Sequence, residues 1–221
     1  MKRFVLIVTA AWIGALMLSL VFSVTPWTPS AHAAAMVNTD AVCASVSDID
    51  EGECRALVAL YTSADGANWS DNTNWLSGSQ ACAWAGVLCN EGHVVELYLP
   101  NNGLKGTLPR ELGNLTHIEF FDVSFNQMHG QVPRELASLS NLQEIYLNDS
   151  GLNGSLNDAF AELTDLNVLD ISDTNLCVAS SARSSTWLAQ LDQEEEMPTV
   201  VSCEAMPLEI KFYLPFVSLD Q

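Results

Sequence analysis

The sequence predicts an α/β solenoid, a short array of strand-bearing repeats held between two disulfide-stapled caps. Two observations carry this reading. Apolar residues recur at one fixed step through the middle of the chain, and six cysteines lie before and after that stretch, none within it. The step, about 24 residues, is within the range of stacked-repeat architectures. Such a repeat is one supersecondary unit that buries its apolar face only against its neighbours.

The chain opens with a basic pair, Lys2-Arg3, then an uncharged apolar stretch from Phe4 to about Val24 and the small-residue pattern Ala31-His32-Ala33. A basic start, an apolar middle and an A-x-A end are what an export signal requires. Residues 1–33 are therefore expected to be a signal peptide. If it stays uncleaved, the same stretch is long enough to anchor the protein at the cell surface. Export leads to an oxidising compartment, where disulfides persist.

Charge narrows the partners. Eight Lys plus Arg face 27 Asp plus Glu, for a net charge of −19. Nucleic acid is excluded, because phosphate binding needs clustered cations. An anionic membrane surface is disfavoured for the same reason. With 48% hydrophobic and 16% charged residues the chain is too apolar for an acidic disordered protein.

Residues 34–93 are expected to form an N-terminal cap. Asp50 followed by Glu53 reads as a helix start, with the helix running to about Ser63 and burying Leu57, Leu60 and Tyr61. Residues 94–176 carry the repeats, three full and one partial. Val94, Ile118, Leu142 and Leu166 hold one register; Leu97, Phe121, Ile145 and Leu169 a second; Leu99, Val123, Leu147 and Ile171 a third. Leu104, Met128, Leu152 and Leu176 follow, then Gly106, Gly130 and Gly154, then Leu112, Leu136 and Phe160. Alternation around Leu97 and Leu99 marks a short strand with one buried face. Asn102 and Asn126 fall where the chain leaves the strand and can bond exposed backbone groups there. Ser150 and Thr174 replace them, so this polar ladder should weaken toward the C-terminus.

Gly106-Thr-Leu108-Pro109-x-x-Leu112-Gly113-Asn-Leu115, repeated as Gly130-Gln-Val132-Pro133-x-x-Leu136-x-x-Leu139, resembles the plant-type leucine-rich repeat. Asn157 departs from its Pro, and Val178 from its Gly. The resemblance covers roughly residues 50–177 and implies a right-handed solenoid with a concave parallel sheet, short convex strands and 3₁₀ turns. Cys82-Ala-Trp84-Ala-Gly86-Val87-x-Cys89 resembles the cap that introduces such repeats, whose two cysteines pair. Six cysteines admit many connectivities and sequence does not choose among them. Local stapling joins Cys43 to Cys54 and Cys177 to Cys203, the latter enclosing Trp187, Leu188 and Leu191 in a C-terminal cap over 177–204. Trp69, Trp75 and Trp84 are read as cover for the first repeat rather than as a ligand platform.

No catalytic constellation is present, and the expectation is a non-enzyme without cofactor. His93, His117 and His129 look scattered, and the spacings from Cys43 to Cys54, Cys82 to Cys89 and Cys177 to Cys203 do not resemble a zinc site, so no metal is expected. Asp65-Gly-Ala-Asn68-Trp-Ser70-Asp71-Asn72 lacks the Glu that closes a calcium loop and reads as a turn. Asn68, Asn114, Asn148 and Asn153 begin N-x-S/T sequons.

Strand alternation lists the solvent-facing positions: Glu96, Tyr98, Pro100; Phe120, Asp122, Ser124; Glu144, Tyr146, Asn148; Val168, Asp170, Ser172. Of these, Glu96, Tyr98, Phe120, Asp122, Glu144, Tyr146 and Asp170 are the candidate ligand-binding residues, an acidic and aromatic face without a cation. Four strands at ~4.8 Å spacing cover only roughly 15–20 Å. Such a face is small against the ~800 Å² a folded partner takes from each side. The expected function is a secreted, monomeric module binding an extracellular protein, peptide or glycan. The alternative is a structural or adhesion component of the cell envelope, held by the N-terminal segment or by the alternating apolar tail within residues 205–221.

Overall fold

The computed structural model describes residues 37–179, 181–189, 191 and 203. The signal segment and the 205–221 tail lie outside the described residues, so neither expectation about them is addressed by the fold. In chain order the elements are helices α1 (Thr39–Ser45) and α2 (Glu51–Ser63), then strands β1 (Val87–Asn90), β2 (His93–Tyr98), β3 (Lys105–Gly106), β4 (Phe120–Asp122) and β5 (Gln127–Gly130). Strands β6 (Glu144–Tyr146), β7 (Gly151–Leu156), β8 (Val168–Asp170) and β9 (Asn175–Val178) follow, and α3 (Ala182–Leu188) closes the series. One 3₁₀ turn per repeat, at Arg110–Asn114, Arg134–Ser138 and Asp158–Glu162, links the strands.

The period becomes a ladder. A five-stranded sheet runs β1-β2-β4-β6-β8 and a four-stranded sheet runs β3-β5-β7-β9. Leu97 pairs with Phe121, Phe121 with Ile145, and Ile145 with Leu169, each pair parallel and each advancing by one whole repeat. The apolar registers fill the space between the sheets: Val94, Ile118 and Leu142 are fully buried, as are Leu104, Met128 and Leu152. Burying one Leu-sized side chain stabilises by roughly 1.5–3 kcal/mol, and a column of them at one register stacks without gaps because neighbouring repeats share backbone geometry.

Asn126 is the anchor of the turn. Its Nδ2 donates to Leu99 O at 2.8 Å, Val123 O at 3.0 Å and Ser124 O at 3.0 Å, while its Oδ1 accepts from Asn102 N at 3.0 Å and Leu104 N at 2.9 Å. Ser150 donates only to Leu147 O, at 2.6 Å, and Thr174 Oγ1 donates to Ile171 O while accepting from Leu176 N at 3.1 Å. The ladder thins toward the C-terminus as the shorter side chains dictate. Where Pro would open the third 3₁₀ turn, Asn157 caps it instead, its Oδ1 accepting from Ala159 N at 3.0 Å.

The N-terminal cap is stitched to the array through backbone. At the end of α2, where helix carbonyls lack intrahelical partners, Ala64 O accepts from Lys105 N at 3.0 Å and Ser63 O from Thr107 N at 3.3 Å. Disulfides Cys43–Cys54 and Cys82–Cys89 tie α1 to α2 and brace β1, which pairs antiparallel with β2 and covers that edge of the sheet. Helix α1, seven residues capped by Asn38, has no counterpart in the sequence reading. Trp69, Trp75 and Trp84 are buried in contact with one another, with Tyr61 stacked on Trp75 at 5.7 Å. At the other end Cys177–Cys203 and the buried Trp187, whose Nε1 donates to Leu163 O at 3.3 Å, hold α3 against the last repeat.

Candidate functional site

The register of the five-stranded sheet arranges the candidate residues in two rows. One reads Glu96, Phe120, Glu144, Val168 and the other Tyr98, Asp122, Tyr146, Asp170, each residue paired with the next across adjacent strands. Carboxylates and rings therefore alternate like a checkerboard over β2, β4 and β6. The rings zigzag between the rows: Tyr98 to Phe120 at 6.1 Å between centroids, and Phe120 to Tyr146 at 5.6 Å. These separations fall within the range of favourable tilted aromatic pairs.

Exposure along the face is uneven. Tyr98 is 56% exposed, whereas Glu96, Phe120, Glu144, Tyr146 and Asp170 are half-buried. Asp122, Ser124 and Asn148 are buried, which corrects their expected solvent-facing placement. The reason is local. Asp122 Oδ1 accepts from Ser124 N at 2.8 Å, and Asp170 Oδ1 likewise from Ser172 N at 2.9 Å and Ser172 Oγ at 2.6 Å, so both carboxylates fold back over their own turns.

Tyr146 is the electrostatic centre. Its hydroxyl donates to Glu144 Oε2 at 3.0 Å. Burial, that hydrogen bond and the charges of Glu144, Asp122 and Asp170 push its pKa up to about 12. Every nearby charge named here is negative, so the face disfavours a phenolate and favours a cation. Beside Tyr98, a groove of about 480 Å³ opens between the sheet and the cap, lined by Ser70, Asp71, Gly86, Pro100 and Asn101.

The Leucine Rich Repeat family model matches residues 93–115. Phytosulfokine receptor 2 of Arabidopsis thaliana is 42% identical over 64 residues, which are 27% of this chain and 6% of that protein. This chain carries a leucine-rich repeat and is similar in fold to plant leucine-rich repeat proteins. It spans only 6% to 11% of the length of the curated relatives it matches. Among solved structures, a chain of the BIR3–SERK2 complex from Arabidopsis thaliana superposes with a TM-score of 0.51 at 26% identity, over 69% of this chain and 78% of that one. A plant ice-binding protein shares the fold, with a TM-score of 0.57 at 24% identity over 64% of this chain and 46% of that one.

Sequence reading of this repeat protein missed two features. Phe125 is 56% exposed and holds a left-handed φ of 55°. Its register is shared by Asn101, Asp149 and Asp173, all at left-handed φ, so comparison at the repeat step singles out the bulky residue. His93 and His117, read as scattered, are one repeat apart and stack at 3.6 Å.

Proposed function

We propose that the protein is an extracellular, non-catalytic binding module whose checkerboard face takes an extended segment bearing Lys or Arg. The alternation of carboxylates with the Tyr98–Phe120–Tyr146 zigzag carries this reading. A guanidinium laid on a ring gains cation–π attraction and finds a carboxylate at the adjacent register position. An extended chain suits a face too small for a folded partner. The BIR3–SERK2 relative is itself part of a two-protein complex, and the phytosulfokine relative is a receptor, which supports a role in recognition. Among the described residues no helix is long and apolar enough to cross a membrane. Export and monomeric state belong to this proposal as well.

The test is panning of a randomised peptide display library against the full chain at low and high salt. Enrichment of Arg- or Lys-bearing sequences at low salt, lost in the Tyr98→Ala/Phe120→Ala double variant, is the expected result. These positions are chosen because Asp122 and Asp170 also hold their turns. Equal enrichment on the variant would remove this face from the function.

A further inference from the structure

Glu53, His93 and His117 converge where α2 meets the first two repeats, outside the checkerboard face. Glu53 lies on α2, His93 opens β2, and His117 stands one repeat further on at the same register. The Glu53 side chain is 3% exposed, against 30% for His93 and 47% for His117. Glu53 Oε1 stands 3.5 Å from His93 Nδ1 and 3.8 Å from His117 Nδ1.

These separations are too long for an N–H···O bond, which closes to about 2.9 Å. His93 Nδ1 is buried with no hydrogen-bond partner. The buried carboxylate accepts long backbone bonds, from Val94 N at 3.3 Å and Asp50 N at 3.4 Å. A charge so placed calls for a cation beside it. A tetrahedral ion bonded at ~2.0–2.1 Å keeps its ligand atoms roughly 3.3–3.5 Å from one another. The ligand atoms of the trio all lie within 4.8 Å of each other.

We propose that Glu53, His93 and His117 bind a divalent transition-metal ion of the zinc type. Two imidazoles and one carboxylate leave a fourth position for water, facing a groove of about 380 Å³ that Glu91, Glu119 and Asn141 also line. The stacked rings, 18° apart, must fan outward so that both lone pairs meet the ion. His117 has room for this, and its contact with Thr116 Oγ1 at 3.3 Å yields as the ring turns. Asp50 Oδ2, 3.8 Å from His93 Nδ1, is a further oxygen within reach. Bound metal would clamp α2 to two successive repeats. The expectation of no metal treats His93 and His117 as scattered and does not join them to Glu53.

The test is calorimetric titration of the full chain, expressed without a polyhistidine tag and stripped with chelator, with ZnCl₂ and separately MgCl₂ at about pH 7.5. One Zn²⁺ per chain is expected, with affinity reduced at least about tenfold in His117→Asn. Zinc should raise the thermal midpoint of the parent and not of that variant, whose metal-free midpoint stays near the parent's. Three outcomes would overturn the site: no stoichiometric zinc, undiminished binding by His117→Asn, or Mg²⁺ binding equal to Zn²⁺.

Discussion

Tyr146 donates its hydroxyl to Glu144, two residues earlier on the same face of β6, at 3.0 Å. Burial, that bond and the acidic surroundings favour the neutral phenol over the phenolate. The folded pKa of about 12 stands above the ordinary 10.0. A raised pKa contributes stability that is complete below about pH 10 and is lost as pH rises toward about 12. Ultraviolet titration should show a late-ionising tyrosine, and Glu144→Gln should bring it only part of the way back toward 10, because burial remains. A parent titration with no late tyrosine would contradict the buried hydrogen bond.

Asn126 is expected to be the costliest single polar truncation in the array. Asn126→Ala strips two backbone donors and three carbonyls of their partner. At ~1 kcal/mol per bond the five bonds amount to about 5 kcal/mol, and each group left buried and unpaired adds to the loss. Ser150→Ala should cost about 1 kcal/mol and Thr174→Ala, which loses two bonds, about 2 kcal/mol by the same reckoning. Urea unfolding of the three variants gives the comparison, and equal losses would disprove the gradient.

Gly106, Gly130 and Gly154 share a register and left-handed φ values of 140°, 84° and 106°. Only at Gly106 would a Cβ collide with backbone, the Ser63 carbonyl at the end of α2. At Gly130 and Gly154 its nearest contacts are the Thr107 and Gln131 side chains, at 3.2 and 3.3 Å. Gly106→Ala is therefore expected to lower stability by about 3 kcal/mol or more, the others by about 1–2 kcal/mol. Thermal melts that rank Gly130→Ala worst would show that the cap can shift without loss.

Phe125→Asn should stabilise. A bulky residue at φ 55° holds a conformation that costs roughly 1–2 kcal/mol, and Asn tolerates it better. With 56% of its surface exposed, Phe125 recovers little of this through burial. A rise of about 1 kcal/mol in unfolding free energy is expected from chemical denaturation. A fall would mean that the ring's remaining contacts outweigh the strain.

Much of this was legible in the chain itself, and the reason is repetition. Leu97, Phe121, Ile145 and Leu169 lie at equal steps because each meets the same backbone environment, so one register reports four positions. What escaped was whatever depends on a single turn or on a contact between units. Asp122 counts as outward by strand parity, yet its bond to Ser124 N folds it back over its own turn, where it is buried. Helix α1 is seven residues long, too short for periodicity to declare it. His93 and His117 were read along the chain, where they are distant, rather than at the repeat step, where they are neighbours.

Strand β1 closes the five-stranded sheet on one side by running antiparallel to β2. The array consequently has a fixed origin, and the interval from Leu97 to Phe121 is its ruler. A spliced copy of the unit between β4 and β6 would lengthen the face by about 4.8 Å while leaving both end structures in their present company. Reach across a target is thus an adjustable dimension of this architecture, set by how many copies separate the ends.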